Sequence, residues 1–416
     1  MSFIAWMKKP TNLLFFVSFC LLLYAVGYKS GQYSTKQTIQ GTNKSYIVTK
    51  QEEGNTYNID FSLFWDTWKE LENQFVDKDK LDPKEMYYGA IKGMVASLGD
   101  PYTFFLTPKE NQSSKDDLGG KFEGIGAELG LENNQIIITS PLQDSPAEKA
   151  GIKPRDQILK VDGDSTAGWT LSQAVQKIRG EKGTKVTLTI LRGNDQKDIT
   201  IVRNTITVAS VETSYAKSTA IIHLNRFGDT TNNEWDKAID EISLKIQNGT
   251  VKDVLLDVRN NPGGFLDGAV YIASEFLPKG KLVVRQEYKS GKYEDYSVER
   301  AGRLLAIPTA VLVNGGSASA SEIVAGALRD HGRAKVIGEK SFGKGSIQVA
   351  LDLKDGAGVH VTIAKWKLPK GDWIHQKGIE PQVKIPQTEL ANGDTITDET
   401  DSQLQKAIEY IEKNSK

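Results

Sequence analysis

Ala310-Val311-Leu312-Val313-Asn314-Gly315-Gly316-Ser317-Ala318-Ser319-Ala320-Ser321-Glu322-Ile323-Val324-Ala325-Gly326-Ala327-Leu328-Arg329 is the stretch on which the fold turns. Ala310 to Val313 predicts a buried strand and Asn314-Gly315-Gly316 a turn. Ile323, Val324, Ala327 and Leu328 share one face of a helix running from Ser321 to Arg329. Ser319 thus stands at a helix N-terminus, where backbone N–H groups lack partners and the helix dipole is positive, which favours a developing oxyanion. The Ala320 amide is the natural donor.

A serine hydroxyl is a poor nucleophile until a positioned base removes its proton. Phe342-Gly343-Lys344-Gly345 offers such a base without any histidine. Lysine serves only when neutral, and burial in an apolar site lowers its pKa from about 10.4 by up to several units. The two flanking glycines let other groups pack close around Lys344. Ser346 to Leu351 then alternates like a strand, in which positions i and i+4 share a face. Gln348 is therefore expected to point where Lys344 points.

Two other readings compete for these residues. The first is a tightly packed helix start beside a lysine on a surface loop. The second is a phosphate loop, because Gly338-Glu339-Lys340-Ser341-Phe342-Gly343-Lys344 has G-x4-G-K spacing after Val336-Ile337. Gly345 stands where that motif needs a magnesium-binding hydroxyl, and an alternating segment follows where it needs a helix. The phosphate reading is the weaker.

Working outward, strands and helices alternate from about residue 206 to 386: Ala220 to Leu224, Asn232 to Ile246, Val251 to Val258, Gly268 to Phe276, then the Ser319 and Lys344 segments. This is an α/β pattern. Asp257-Val258-Arg259-Asn260-Asn261-Pro262-Gly263-Gly264 follows a buried strand, and its glycines can bring backbone N–H groups close to a ligand. A second oxyanion donor can come from here.

Before this core lies a compact unit. Ile125 to Leu131 and Gln135 to Thr139 predict a hairpin around Asn133-Asn134. Ser145-Pro146-Ala147-Glu148 is a capping box opening a short helix that ends at Gly151. A strand Gln157 to Val161, a helix from Thr170 through Ile178 capped by Gly180, and a closing strand Val186 to Leu191 follow. Opened by Phe122-Glu123-Gly124-Ile125-Gly126, this order of elements resembles a PDZ domain, which implies a peptide carboxylate held by the backbone amides of Gly124, Ile125 and Gly126. Lys109 to Lys121, polar and glycine-containing, reads as a linker into it.

Nearer the N-terminus, Phe61, Phe64, Trp65, Trp68, Leu71 and Phe75 have helical spacing, and a second helix is expected from Pro83 to Leu98 with Asp82 as N-cap. The aromatic stripe suits core packing or self-association, so a homo-oligomer is admissible. Lys8 and Lys9 precede the uncharged apolar run Leu13 to Tyr28, a membrane-directing segment read as an anchor or, with Ala25-Val26-Gly27 as cleavage site, a signal. Either way residues beyond 30 are expected on the extracytoplasmic side. Residues 31 to 59 read as a polar tether, and the last 30 begin polar and end with Leu404, Ala407, Ile408 and Ile411 on one helical face.

Composition narrows the partners. Of 416 residues, 25% are charged and 39% hydrophobic, an ordinary globular balance, and 52 basic against 53 acidic residues give a net charge of −1, no footprint for nucleic acid. The single cysteine, Cys20, allows no intrachain disulfide, and the four histidines show no metal-ligand spacing.

With these residues in view, the chain resembles the carboxyl-terminal processing peptidases, PDZ-containing serine proteases of the tail-specific group. The likeness covers roughly residues 60 to 386. It rests on Gly89-Ala90-Ile91-Lys92-Gly93-Met94 with Leu98-Gly99-Asp100-Pro101-Tyr102-Thr103, on Phe122 to Gly126, on Arg259 to Gly264, on Ser317 to Glu322 and on Phe342 to Gln348. It implies an α/β multidomain fold with an N-terminal helical region (60–112), a PDZ domain (115–205) and a crotonase/ClpP-like protease core (206–386), to which the periodicity of the last residues adds a tail helix (387–416). It further implies Ser319 as nucleophile, Lys344 as general base, Gln348 orienting the lysine, and Gly264 with Ala320 as oxyanion hole, Gly263 being close enough to contest the first. Arg179 would link peptide occupancy to the active site, although a cation at a helix C-terminus accounts for it equally well. The substrates implied are protein C-termini, with no metal or organic cofactor. Gln382 departs from the aspartate usual in the family, a change expected to touch a local turn. The alternatives are a membrane-tethered PDZ scaffold with an inert protease domain and a Ser-Lys amidase acting on small molecules.

Overall fold

The structure is a computed structural model that describes residues 59–132, 135–142, 144–386 and 398–414. The apolar run Leu13 to Tyr28 and the tether before residue 59 lie outside the described residues. None of the described helices is long and apolar enough to cross a membrane. The chain forms two compact units, one up to Tyr87 and one from Tyr88 onward.

In the first unit, α1 (Ser62–Gln74) carries the aromatic stripe, with the Phe64 ring centroid 5.1 Å from Trp65 and 6.1 Å from Trp68. None of its residues is buried. Helix α2 (Pro83–Ala96) starts as the sequence predicts, Asp82 Oδ1 accepting the Lys84 N–H at 2.7 Å.

The second unit takes in α2 from Tyr88 and continues with β1 (Phe104–Leu106) and α3 (Pro108–Leu118), where a linker is expected. Thr107 and Glu110 cap each other's backbone N–H groups, with proline at the first helical position. The helix has little apolar periodicity, so the cap is its only strong sequence signal.

Then come β2 (Lys121–Gly124), β3 (Ala127–Glu132), β4 (Gln135–Pro141), α4 (Pro146–Lys149), β5 (Gln157–Val161), β6 (Asp164–Ser165), α5 (Leu171–Ile178), β7 (Lys185–Arg192), β8 (Asp195–Val202) and β9 (Asn204–Thr207). The sheet runs β3-β4-β5-β7-β8, and β2 pairs with β9. Ile136, Ile138, Ile158, Leu188 and Ile190 form its core with Ala174 and Ile178 of α5. Three details differ from the expectation. Strand β7 does not close the unit, since β8 pairs along its whole length. Helix α5 ends on Arg179 in extended conformation and not on a left-handed Gly180. At α4, Ser145 accepts the Glu148 N–H, but the Glu148 carboxylate takes Asp144 N (2.6 Å), so the capping box is only half made.

The core elements are β10 (Val211–Ala216), β11 (Thr219–Leu224), α6 (Thr231–Gln247), β12 (Asp253–Asp257), α7 (Leu266–Ala273), β13 (Leu282–Tyr288), β14 (Tyr293–Ser297), β15 (Thr309–Val313), α8 (Ala320–Asp330), β16 (Lys335–Gly338), β17 (Ser346–Asp352), β18 (Gly358–Lys367), β19 (Val383–Lys384) and α9 (Ser402–Asn414). The main sheet is ordered β10-β11-β12-β15-β16-β19, parallel from β11 onward. Side chains alternate across it with period two. Val254, Leu256, Val311 and Val313 meet α6, α7 and α8 on one face, while Leu255, Ala310 and Leu312 meet Leu404, Ala407, Ile408 and Ile411 of α9 on the other. A parallel sheet must be covered on both faces, and α9 supplies the second cover. A second sheet, β1-β18-β13-β14 with β17 also on β18, carries the segment that follows Lys344.

Candidate active site

Strands β11, β12 and β15 end side by side, and one buried side chain ties their C-terminal ends together. Asn261 donates from Nδ2 to Leu224 O (2.6 Å) and accepts Gly263 N at Oδ1 (2.9 Å). Its carbonyl takes Ala318 N and Ser321 Oγ, both at 3.0 Å. Ser317 Oγ donates to Val258 O (2.8 Å). These bonds fix the turn from which Ser319 emerges, at φ 54° and ψ −114°. For a residue with a Cβ that is a strained backbone, kept only where its surroundings dictate it.

Ser319 caps α8, whose residues from Ala320 through Leu328 are all buried. Among the described residues neither the Ala320 N–H nor the Gly264 N–H has a hydrogen-bond partner. Gly263 N–H, by contrast, is engaged by Asn261. Of the two glycines, Gly264 is thus the one whose N–H is left open among the described residues. Both glycines have positive φ, 100° and 140°. A Cβ on Gly263 would lie 2.8 Å from Ser319 Cβ and 2.9 Å from Ala320 N, and one on Gly264 would strike Phe227 O at 2.0 Å.

Glu322, fully buried, reaches the Lys344 segment. Its carboxylate accepts Ser319 N (2.9 Å), Ser341 Oγ (2.6 Å), Gly343 N (2.7 Å) and Lys344 N (2.9 Å). Burial pushes this carboxyl above the usual carboxylate range, against four hydrogen bonds that favour its ionised form. One carboxylate thus brings the backbones of Ser319 and Lys344 into a single site. The glycines beside Lys344 pack closely as expected, since a Cβ on Gly343 would lie 2.7 Å from Gly378 N and one on Gly345 2.7 Å from Trp373 Nε1.

Burial also lowers the Lys344 pKa, while the charges of Asp100 and Glu322 oppose the shift. Its ammonium makes no hydrogen bond or ion pair among the described residues, Ser319 Oγ included. It faces the Tyr102 ring, 5.2 Å from the centroid. Nor is Gln348 joined to it: Gln348 Nε2 donates to Ser346 Oγ (3.0 Å) and Thr362 Oγ1 (3.1 Å). Lys344 precedes β17, and the β17–β18 register shifts between Ile347 and Gln348, so the two-residue period does not carry from one to the other.

In the β2–β9 unit, the carbonyls of Ile125 and Gly126 accept Ala147 N (2.8 Å) and Leu142 N (2.9 Å), while the N–H groups of both residues have no partner among the described residues. Gly126 has φ 72°, and a Cβ there would lie 2.6 Å from Ser145 Cβ. Beside this loop Arg179 lies over the Phe122 ring (4.5 Å) and bonds both Asp117 oxygens at 2.9 and 3.1 Å. Asp117 O accepts Arg226 Nη1 (3.1 Å), and the next residue, Phe227, bonds Gly263 O and Phe265 N. Asp117, Glu322 and Tyr102 carry no role in the sequence reading. Only Glu322 had a signal there, the S-x-x-E spacing from Ser319. Gln382 bonds Val336 through both backbone and side chain, joining β16 to the start of β19.

Comparison with known proteins follows the same division. Residues 218–385 match peptidase family S41, 112–191 the PDZ domain, and 23–109 the activating protease CtpB N-terminal domain. A probable CtpA-like serine protease of Staphylococcus haemolyticus is 41% identical over 88% of this chain and 72% of its own length. The carboxy-terminal processing protease CtpA of Bacillus subtilis is 41% identical over 81% and 71%. Among solved structures, the photosystem II D1 C-terminal processing protease is 30% identical with a TM-score of 0.53, covering 78% of this chain and 92% of that one. A putative S41 protease from Bacteroides fragilis shares the fold, with a TM-score of 0.54 at 17% identity over 88% of this chain and all of that one. The chain therefore belongs to peptidase family S41, among its PDZ-bearing serine-type carboxy-terminal processing proteases.

Proposed function

We propose that the chain cleaves proteins near their C-termini through an acyl-enzyme on Ser319. Neutral Lys344 takes the Ser319 proton as Oγ adds to the scissile carbonyl, and the Gly264 and Ala320 amides receive the oxyanion. Lys344 then gives that proton to the leaving amine as the C–N bond breaks. Water adds to the ester with its proton passing to Lys344, and the ester C–O bond breaks to release a carboxyl group and restore Ser319. Gln348 orients the lysine once the two are brought together. The free amides of Ile125 and Gly126, beside Gly124, suit a substrate carboxylate. Arg179, through Asp117 and the Arg226–Phe227 segment, leads from that loop to the glycines of the oxyanion site. The apolar run behind Lys8 and Lys9 supports an extracytoplasmic location.

The observation that carries this reading is Glu322 holding the N–H groups of both Ser319 and Lys344, beside two unpartnered amides. The full chain should cut an unstructured protein with an apolar C-terminus, and Ser319→Ala and Lys344→Ala should each abolish cleavage. Retained cleavage by either variant would remove the dyad.

A further inference from the structure

Lys344 contacts an aromatic ring whose position is built independently of it. Tyr102 N donates to Asp100 Oδ1 (3.1 Å), Thr103 Oγ1 to Asp100 Oδ2 (2.7 Å), and Thr362 N to Thr103 Oγ1 (3.0 Å). Strand β1 follows at once, paired with β18. His375 meets the same ring in a T-shaped contact at 5.8 Å and is itself stacked on Trp373 at 5.1 Å. The same turn reaches Gln348, because the Gln348 amide donates to the hydroxyl of Thr362.

We propose that Tyr102 is a positioning residue for Lys344: its ring holds the ammonium away from Ser319, and the Asp100–Thr103 turn thereby sets how readily the neutral base becomes available. This rests on Lys344 being the general base. The face of an aromatic ring attracts a cation and does little for a neutral amine, so the ring favours the protonated lysine and opposes the effect of burial. The other charges around Nζ come from three elements. Asp100 on the turn and Glu322 on α8 favour the ammonium without bonding it, and His360 on β18 is pushed down by burial and by the lysine's charge. His375 lies against the Tyr102 ring. The ring is the group that the ammonium meets directly.

The experiment is the pH dependence of kcat/KM for the full chain on an unstructured protein with an apolar C-terminus, comparing wild type with Tyr102→Leu, Tyr102→Phe, Tyr102→Trp and Lys344→Ala. Leucine keeps an apolar cover over Lys344 but removes the ring, so the acid limb should move down by about 0.5–1 pH unit. Cleavage at a pH on that limb should rise about three- to tenfold accordingly. Phenylalanine should stay close to wild type, and tryptophan, the stronger cation partner, should move the limb up. If the leucine variant does not fold, the tryptophan–phenylalanine displacement decides. Coincident acid limbs, or a uniform loss of rate with an unchanged midpoint, overturn the proposal and leave the dyad standing. Cleavage retained by Lys344→Ala would overturn the dyad and this inference together.

Discussion

The two halves of the site are built differently. Around Ser319 the supporting groups Asn261, Ser317, Ser321 and Glu322 are fully buried, and each hydrogen-bonds the segments that hold the Ser319 turn. Lys344 and Gln348 are half-buried; among the described residues the ammonium has a ring contact and no hydrogen bond, while the amide is engaged with Ser346 and Thr362. The proposed nucleophile and oxyanion donors are thus held by a dense set of hydrogen bonds, whereas the proposed base is held by few. Preorganised donors carry much of the transition-state stabilisation in such sites, and a movable base permits regulation without rebuilding them.

Glu322 joins the halves, so its removal is expected to break the contrast most severely. Glu322→Ala leaves four buried or half-buried donors unsatisfied, at a cost on the order of 3 kcal/mol or more, and frees Ser319 from its strained conformation. Melting temperature and kcat should fall together, with cleavage reduced at least about a thousandfold. A stable, active Glu322→Ala enzyme would show that the two segments hold their places unaided.

Gly263→Ala tests the rigid half alone. The added methyl meets Ser319 Cβ and Ala320 N below 3 Å at a backbone with φ 100°, so either the nucleophile or the donor must shift. Loss of about 10²–10³ in kcat is expected, the range for one misplaced oxyanion donor, with KM nearly unchanged. An unaltered kcat would mean that this half tolerates displacement and is not preorganised.

What the sequence disclosed follows the same line. The rigid half is read from contiguous patterns: an apolar strand, a glycine turn and an amphipathic helix, each matched within a few residues by β15 and α8. Even its hidden tie, Glu322, lay in an S-x-x-E spacing beginning at the nucleophile. The adjustable half depends on pairings distant in the chain. Strand β18 brings Thr362 to Gln348 and β1 brings Tyr102 to Lys344, and no local period reports either. A register shift before Gln348 then interrupts the one period that was used. Helix α3 shows a related failure, because its cap was legible but its solvent-facing surface offers no apolar stripe.

The smallest effect concerns how far the rigid half extends. Arg259, two residues beyond β12, bonds Asp257, Asp401 and Gln403, and His223 lies 3.5 Å from Asp257 and 3.4 Å from Asp398. The strand leading to the oxyanion glycines is thus tied to the start of α9. Burial alone would lower the His223 pKa, but hydrogen bonds to Asp257 and Asp398 overcome it and raise the value to about 10. A histidine raised in this way contributes its stabilisation fully below the unfolded value near 6.5, and the contribution fades as pH rises through about 10. His223→Asn should therefore lower the melting temperature by a few degrees at pH 6, with the difference shrinking steadily towards pH 10. A difference independent of pH would mean that the His223 charge does not help to hold the segment before α9, leaving that tie to Arg259 with Asp401 and Gln403.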